Sequence, residues 1–585
     1  MDLVRLKYIK EWITQLPQGN ITYKTINGKK YPYYQWTENG KQRSRIVKEH
    51  ELKELSEKIE QRKVLQERLK NAPAEILEED HFFSLVKRGS ELYNFVEPVK
   101  GYKKRECFQK LQNFVYGNTT DKVFILYGLR RTGKTTLIRQ MIADMPQNMF
   151  VNTAFIQVNS SVDLVKINLD LKQLAKQGYK YVFIDEVTLM EDFIEGAALF
   201  SDIFATSGMK IVLSGTDSLG FMLSQSEQLY DRCFLLHTTF IPYREFENVL
   251  GIQGIDEYIR YGGTMSLSGI NYNSQSAFAN KKEAANYVDS AIAHNIQHSR
   301  KYYQDGGHFR HLQDLYEKDE LTSAINRVVE DINHRFTVEV LTKDFISNDL
   351  SISARNLRRD RNNPTDILDQ IDRIAFITRL KQALEILDKK EQTVNIDEAH
   401  AIEIQEYLKL LDLIYEVDKL SLPNVNDVKK ITVISQPGMR YAQASALIDS
   451  LLLDEIFNEL SLVERNEITK RILNEIRGRM MEDIILLETK IANPDKQVFQ
   501  LQFAIGEFDM VICDTKAATC EIFEIKYSTE FIKEQYKHLI DNEKCKATEH
   551  RFGTIQRKSV IYRGETQVFD DIQYINVEEY LRKLI

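Results

Sequence analysis

The 585-residue chain is 43% hydrophobic and 28% charged, the balance of a globular protein, and is long enough for roughly three to five domains with their own cores. No run approaches the ~18 apolar residues that span a bilayer, and the N-terminal "MDLVRLKYIKEWITQLPQGN" lacks a signal-peptide apolar segment, so no membrane association is expected. A net charge of −8 excludes a uniformly basic surface, and five cysteines (Cys107, Cys233, Cys513, Cys520, Cys545) without C-x-x-C pairing or zinc-ligand spacing fit a reduced, cytoplasmic protein.

Residues 1–75 read as a small β-meander followed by a charged helix. "ITYKTI", the hairpin signal Asn27-Gly28, "KKYPYYQW", "TENGK" and "QRSRIV" predict three strands joined by tight turns. Residues 1–48 carry ten Lys/Arg against three Asp/Glu, and Tyr23, Tyr31, Tyr33, Tyr34 and Trp36 alternate with Lys24, Lys29, Lys30, Arg43 and Arg45. Aromatic faces beside cations can stack bases and hold phosphates; they equally supply a small sheet with its core or a docking surface. "HELKELSEKIEQRKVLQERL" predicts a long helix and "NAPAEI" a linker.

Residues 76–245 alternate apolar strands ("VFILYG", "MFVNTAFIQV", "YVFIDE", "KIVLSG", "CFLLHTTF") with helices, the pattern of a parallel α/β sheet. "GLRRTGKT", Gly128 to Thr135, fits G-x-x-x-x-G-K-[ST] between a strand and the helix "TLIRQMIADM". There glycines let backbone N–H groups wrap phosphates at a helix N-terminus. Lys134 is placed to neutralise the β/γ-phosphates and Thr135 to hold Mg²⁺. The expected nucleotide-binding set is Gly128, Arg130, Arg131, Thr132, Gly133, Lys134, Thr135, Thr136 and Asp185. Asp185 ends its strand where it suits the Mg²⁺ shell, and Glu186 suits orienting the attacking water. "KIVLSGTDS" ends a strand in Thr216, within reach of a γ-phosphate, and Arg232 closes a helix just before the next strand.

Residues 100–265 resemble the AAA+ ATPases, in particular the prokaryotic, archaeal-type branch often fused to a C-terminal nuclease. The resemblance rests on "GYKKRECFQKL", "GLRRTGKTTL", "FIDEVT", "LSGTDS", "LYDR…IPYREF" and "YIRYGG". It implies that Thr216 is the sensor-1 residue. It also implies that Arg232 is an arginine finger reaching a neighbouring subunit's nucleotide, although an arginine at a helix C-terminus is also a common structural device.

Helical patterns dominate residues 246–440 and are expected to form a lid and a winged-helix-like region. "LTKDFISNDLSISARNLRRDR" resembles a helix-turn-helix bearing Arg355, Arg358, Arg359 and Arg361, a set that also fits a solvated helix face. His294, His298, His308 and His311 cluster in sequence, but "HNIQH" lacks the glutamate of H-E-x-x-H and reads as part of the lid.

Residues 441–585 return to mixed α/β. "EFDMVIC" carries Asp509, and "CEIFEIK" carries Glu524 and Lys526 two residues apart. Residues two apart on a strand share a face, so Glu524 and Lys526 point together, away from Phe523 and Ile525. By the same period Asp509 shares a face with Val511, opposite Phe508, Met510 and Ile512. Paired strands would bring Asp509, Glu524 and Lys526 together as a hard-oxygen site for Mg²⁺ or Mn²⁺ beside a lysine. Such a lysine orients water or offsets charge on a pentavalent phosphate. "GRMMEDIILLETKI" predicts a helix with Glu482 near its start; "STEFIKEQYKHLID" predicts a helix and "KSVIYRG" a strand. This order resembles the PD-(D/E)xK restriction-endonuclease fold, with Phe508 where the family places proline. The resemblance implies that Glu482, Asp509 and Glu524 are metal ligands, with Lys526 catalytic.

The expected architecture is therefore a multidomain α/β protein: meander and helix, P-loop ATPase, helical region, and nuclease-like domain. The expected function is ATP-dependent, Mg²⁺-dependent DNA cleavage by a homo-oligomer, in defence against mobile DNA. An ATP-gated binding switch that does not cut, and a translocating helicase, are the competing readings.

Overall fold

A computed structural model of the protein describes residues 3–26, 28–38, 41–70, 81–190, 192–216, 229, 231–238, 240–265, 310–318, 320–343, 396–424, 428–452, 461–569 and 571–584. The helix-turn-helix arginines (Arg355, Arg358, Arg359, Arg361) and His294, His298 and His308 lie outside the described residues. The chain divides into two compact units: Met1–Tyr127 with Gly133–Thr238, and Gly128–Thr132 with Thr239–Ile585.

In the first unit, helix α1 (Leu3–Gln15) precedes an antiparallel meander of β1 (Gly19–Ile26), β2 (Lys29–Glu38) and β3 (Lys41–Ile46), in that spatial order. Gly28, at φ 77, turns the first hairpin, a left-handed geometry that costs glycine nothing. The charged helix α2 spans Glu49–Lys70, and Arg62 in it donates to the Leu16 carbonyl at 2.6 Å. Tyr8, Ile9 and Ile13 recur at helical spacing on α1 and join the apolar core that also holds Phe124, Leu137 and Phe183.

That core lies on a six-stranded sheet: β4 (Leu85–Lys87), β5 (Val123–Tyr127), β6 (Thr153–Gln157), β7 (Tyr181–Asp185), β8 (Lys210–Gly215) and β9 (Cys233–His237). The spatial order is β4-β6-β7-β8-β5-β9, parallel except for the edge strand β4. The inner strands are almost continuously apolar and buried, as strands with both faces covered must be. Since β5, β7 and β8 are parallel, their C-terminal ends share one edge of the sheet. From that edge leave the loop to α3 (Lys134–Ala143) and the ends of β7 and β8. Helix α4 (Leu164–Lys176) carries the fully buried Asp170, whose carboxylate accepts the Phe83 and Ser84 amides at 2.9 Å and so seats β4.

The second unit contains helices α5 (Tyr243–Leu250), α6 (Ile255–Tyr261), α7 (Arg310–Glu317), α8 (Leu321–Lys343), α9 (Glu398–Leu410), α10 (Pro437–Leu452), α11 (Leu462–Ala492), α12 (Asn542–Phe552) and α13 (Val577–Arg582). Its strands are β10 (Ile414–Ser421), β11 (Lys429–Ile434), β12 (Gln497–Gln502), β13 (Glu507–Asp514), β14 (Thr519–Lys526), β15 (Thr554–Tyr562), β16 (Gln567–Phe569) and β17 (Ile572–Asn576). All eight form one mixed sheet in the order β11-β10-β12-β13-β14-β15-β17-β16. One apolar layer joins Met480 and Ile484 of α11 to Met510, Phe523 and Ile525; the other sheet face holds Val511, Ile522, Leu539 and Cys545.

Several expectations shift here. The sheet begins at Ile414, before the boundary at 440, because β10 pairs in parallel with β12 from Asp418↔Phe499 to Ser421↔Gln502. The helix expected at "STEFIKEQYKHLID" is one short 3₁₀ turn, Lys533–Tyr536. The α-helix starts one step later, where the Asp541 carboxylate caps the Glu543 and Lys544 amides at 3.0 and 3.2 Å. Glu482 stands in the last third of a 31-residue helix, not near its start, because α11 runs straight through Gly478. A Cβ at Gly478 would meet the Tyr527 Cβ at 3.4 Å, ordinary contact, so the packing there does not require a glycine, and the glycine does not break the helix.

Candidate functional site

The loop after β5 is shaped by its backbone. Gly128 (φ 138), Arg131 (φ 64) and Gly133 (φ 89) take left-handed conformations that turn the chain into the N-terminus of α3. Thr132 is fully buried and its hydroxyl donates to the Leu129 carbonyl at 2.8 Å, closing the loop on itself. Lys134 and Thr136 are buried, Arg130 is half-buried and Arg131 is exposed. From the next switch in the sheet, Asp185 presents a buried carboxylate to the same edge, and Thr135 Oγ1 donates to its Oδ2 at 2.7 Å. A hydroxyl and a carboxylate so close are the pair that a Mg²⁺ ion on a nucleotide would share. The Ser214 hydroxyl, on β8, donates to Asp185 Oδ1 and holds that carboxylate in place. Glu186 follows in a left-handed conformation (φ 59), and Thr216 Oγ1 lies 3.5 Å from Glu186 Oε2. Thus Thr135, Asp185, Glu186 and Thr216 gather at one sheet edge.

Arg232 is elsewhere. It precedes the first residue of β9, at the opposite strand end, and its Nε pairs with Asp202 Oδ1 at 2.9 Å. Five strand residues separate the two edges by about 16 Å, so Arg232 belongs to a different surface from its own phosphate loop.

A second cluster lies on the eight-stranded sheet. The β13–β14 register, with Met510 opposite Phe523, puts Asp509 opposite Glu524. Asp509 Oδ2 accepts from the Ile525 amide at 2.7 Å and from Lys526 Nζ at 2.9 Å, and Lys526 Nζ lies 2.7 Å from Glu524 Oε2. Both carboxylates are buried, and Glu524 Oε1 is buried with no hydrogen-bond partner. Burial pushes the Glu524 carboxyl well above the usual range, and the Asp509 charge adds to that. Burial works against Lys526, yet the two carboxylates hold its pKa well above that of an ordinary lysine. For Asp509 burial raises the pKa, but Lys526 and the Ile525 amide outweigh it and hold the group low. Two hard carboxylates, one with an unpaired buried oxygen, make a donor set that fits a Mg²⁺ or Mn²⁺ ion.

The geometry corrects one expected orientation. Between the pairs Phe499↔Val511 and Leu501↔Phe508, β12 advances two residues and β13 three, so β13 is bulged at Asp509-Met510. Phe508 therefore packs with Val511 rather than with Met510 and Ile512. The bulge breaks the period of two beside Asp509, as bulges beside functional groups often do. Glu482 reaches the neighbourhood from α11; its Oε2 is paired with Arg479 Nη1 at 2.6 Å, and its charge acts on Lys526. The adjacent Tyr527 donates its hydroxyl to Asp256 of α6, which also pairs with Arg563.

Three further polar residues near this cluster carried no sequence signal. Lys544 Nζ lies 2.6 Å from His538 Nδ1, and burial together with Lys544 holds the His538 imidazole below its usual value. Gln500, fully buried opposite the bulge, has neither side-chain polar atom partnered. His311 meets Asp397 and His400, with ligand atoms all within 4.8 Å of one another. The Asp397–His400 contact is the capping box that starts α9, which accounts for two of those three groups.

With this geometry in hand, residues 120–247 match the family model described as "AAA domain". That stretch has an AAA ATPase fold. Ahead of the AAA domain, residues 2–57 match a family described as "Domain of unknown function (DUF6788)". No curated protein matches the chain. Among solved structures, the S. cerevisiae Hsp104–casein complex in its extended conformation is similar at a TM-score of 0.23 and 13% identity, over 27% of this chain and 31% of that one. The S. cerevisiae Hsp104–ADP complex gives a TM-score of 0.21 at 12% identity, over 64% of this chain and 48% of that one. The chain thus spans less than half the length of these two proteins, and at such TM-scores neither carries an argument. Among the described residues, no helix is long and apolar enough to cross a membrane.

Proposed function

We propose that the protein is an ATP-dependent nuclease, in which the AAA domain couples ATP hydrolysis to Mg²⁺-dependent cleavage of DNA by the C-terminal sheet. The observation that carries the cutting half is the buried Asp509–Glu524–Lys526 cluster with its unpartnered Glu524 oxygen. Burying two carboxylates costs several kcal/mol unless a cation offsets them, and Lys526 alone leaves one oxygen unsatisfied. A bound Mg²⁺ or Mn²⁺ would polarise the scissile phosphate and lower the pKa of a water. Asp509 and Glu524 would hold that ion, with Glu482 as a third carboxylate once released from Arg479. Lys526, half-buried and aimed at the same point, stabilises charge that grows on the phosphate.

In the AAA domain, Lys134 and the loop amides bind the β/γ-phosphates, Thr135 and Asp185 hold Mg²⁺, and Glu186, positioned by Thr216, orients the attacking water. Arg232 stands at the strand end away from its own phosphate loop, a position that suits contact with a neighbouring copy's nucleotide and supports a homo-oligomer as the working form. The PD-(D/E)xK resemblance of the C-terminal unit, fused to this type of ATPase, supports a role against mobile DNA.

The test is cleavage of linear duplex and single-stranded DNA by the wild type and Asp509→Ala, in Mg²⁺ or Mn²⁺, with and without ATP. Cutting by the wild type alone supports the proposal. Lys526 already bridges both carboxylates, an arrangement that also suits a sheet that binds without cutting. Absence of cutting with retained ATP hydrolysis and DNA binding selects that gated-binding reading instead.

A further inference from the structure

Two basic groups, His538 and Lys544, touch each other beside the Asp509, Glu524 and Lys526 cluster. Strands β12 and β14 both run antiparallel to β13, so the end of β12, the turn Phe503–Gly506 and the end of β14 share one edge of the sheet. Glu524, two residues from Ile522 on β14, faces the side of the sheet where Leu539 and Cys545 pack, next in sequence to His538 and Lys544. Gly506, at φ 80, lets the pair close onto the turn. A Cβ there would sit 2.6 Å from the His538 ring and 3.1 Å from Lys544 Nζ. Lys526 and Asp509 act electrostatically on His538, and Glu524 acts on Lys544, so the pair is within reach of the cluster.

As a piece of the fold the pair is poorly placed. Lys544 lies in the first turn of α12, where the helix dipole disfavours a cation. Its side chain is 12% exposed, and its Nζ is 4.0 Å from Asp541 Oδ2, beyond hydrogen-bond reach. The ammonium meets His538 Nδ1 instead, at 2.6 Å. An ammonium only donates, so Nδ1 accepts and the neutral imidazole carries its proton on Nε2. Burial holds both groups below their ordinary pKa values, and Lys544, Lys537 and Lys526 lower His538 further against the opposing Asp509. Donors crowded and half-desolvated in this way are relieved by an arriving anion.

We propose that His538 and Lys544 hold a DNA phosphate next to the scissile one, Lys544 by its charge and His538 through Nε2–H. The inference rests on the nuclease reading of the C-terminal sheet, which supplies the phosphodiester. Gly506 precedes Asp509 by three residues, about 10 Å of extended chain. That is too far for the phosphate on the metal and suits a neighbouring phosphate of the same strand. Lys526 does not fill this role, because it already bridges Asp509 and Glu524.

The test is binding of a fluorescent 30-base-pair duplex to the full chain, read by anisotropy at pH 8 over a series of salt concentrations, with Ca²⁺ so that the DNA stays uncut. Lys544→Gln should lower the slope of log affinity against log salt by about 1, the mark of one lost phosphate contact, and weaken binding several-fold. Lys544→Arg should retain the slope. His538→Ala should weaken binding several-fold with the slope unchanged, because a neutral imidazole contributes a hydrogen bond and no charge. Lys516→Gln, in the turn at the opposite end of β13 and β14, should change neither. Lys544→Gln also removes a cation from a helix N-terminus, so without DNA its Tm should equal or exceed that of the wild type. An unchanged slope in Lys544→Gln overturns the assignment, and a lower Tm alongside it leaves Lys544 as a packing residue. A wild type that does not bind the duplex removes the nuclease reading and the phosphate site together. Binding and Asp509-dependent cutting with an unchanged Lys544→Gln slope removes the phosphate site alone.

Discussion

Glu488, on α11 six residues beyond Glu482, offers a quantitative check on the core of the second unit. It is 2% exposed; Oε1 accepts the Tyr243 amide at 2.8 Å, and Oε2 has no partner. Burial pushes its pKa from 4.5 up to about 7. The folded state therefore holds a proton that the unfolded chain releases. The resulting stabilisation is fully present below pH ~4.5 and is lost as pH rises through 7. A shift of about 2.5 units at 1.36 kcal/mol each makes the cost of ionising this group about 3 kcal/mol at pH 8. Glu488→Gln keeps the acceptor and the volume but cannot ionise, so it should stabilise the unit by about 3 kcal/mol at pH 8 and by under ~1 kcal/mol at pH 5. With an unfolding entropy of roughly 2.1 cal/mol/K per residue over about 350 residues, this amounts to a rise of roughly 4 °C in Tm at pH 8. Differential scanning calorimetry of both proteins at the two pH values measures it. A Tm difference that is the same at pH 5 and pH 8, or a loss of stability at pH 8, would refute the buried-carboxyl account.

Lys134→Ala should abolish tight ATP binding in a fluorescent-nucleotide titration, since the charge on the β/γ-phosphates is lost. Glu186→Gln should bind ATP normally and hydrolyse it at least ~100-fold more slowly, as loss of a water-orienting base implies. Arg232→Ala should spare binding but remove any dependence of specific ATPase activity on protein concentration; a wild type that is fully active as a monomer would leave Arg232 as the ion-pair partner of Asp202. Lys526→Ala should retain Mn²⁺ binding, read by paramagnetic relaxation, while DNA cleavage falls by about 10²–10³-fold. Replacing Mg²⁺ with Ca²⁺ should stop cutting in the wild type because the larger ion holds looser geometry.

The phosphate loop was legible because its chemistry is local: Gly128, Gly133 and Lys134 must lie at fixed offsets between a strand and a helix. The convergence of Asp509, Glu524 and Lys526 was legible because adjacent strands with a period of two leave few alternatives. Features set by distant parts of the chain were not. The bulge at Asp509-Met510 arises from how β13 meets β12, and nothing within "EFDMVIC" announces it. The parallel pairing of β10 with β12 joins residues about eighty apart. His538 and Lys544 enter the site from a turn and from α12, whose start depends on the Asp541 cap rather than on hydrophobic periodicity. Ser214 carried a weaker sign: a hydroxyl residue within an otherwise apolar strand needs a partner, and Asp185 supplies it.

The parallel pairing of β10 with β12 bears on how the protein can be taken apart. A fragment beginning at residue 441 would strip β10 and β11 from the sheet and bare the backbone edge of β12, whose "VFQL" is buried in the intact chain. An uncovered apolar edge of that kind recruits other chains and precipitates. Moving the cut upstream to 398 restores the edge but removes Tyr243 and Tyr258, which pack in the same layer as Met510 and Phe523. Because that layer starts at Phe240, directly after β9, only a scission before Phe240, where the two units divide, leaves the C-terminal sheet with its whole apolar layer. A fragment meant to carry the C-terminal chemistry alone therefore has to begin before Phe240, not at the edge of the nuclease-like motifs.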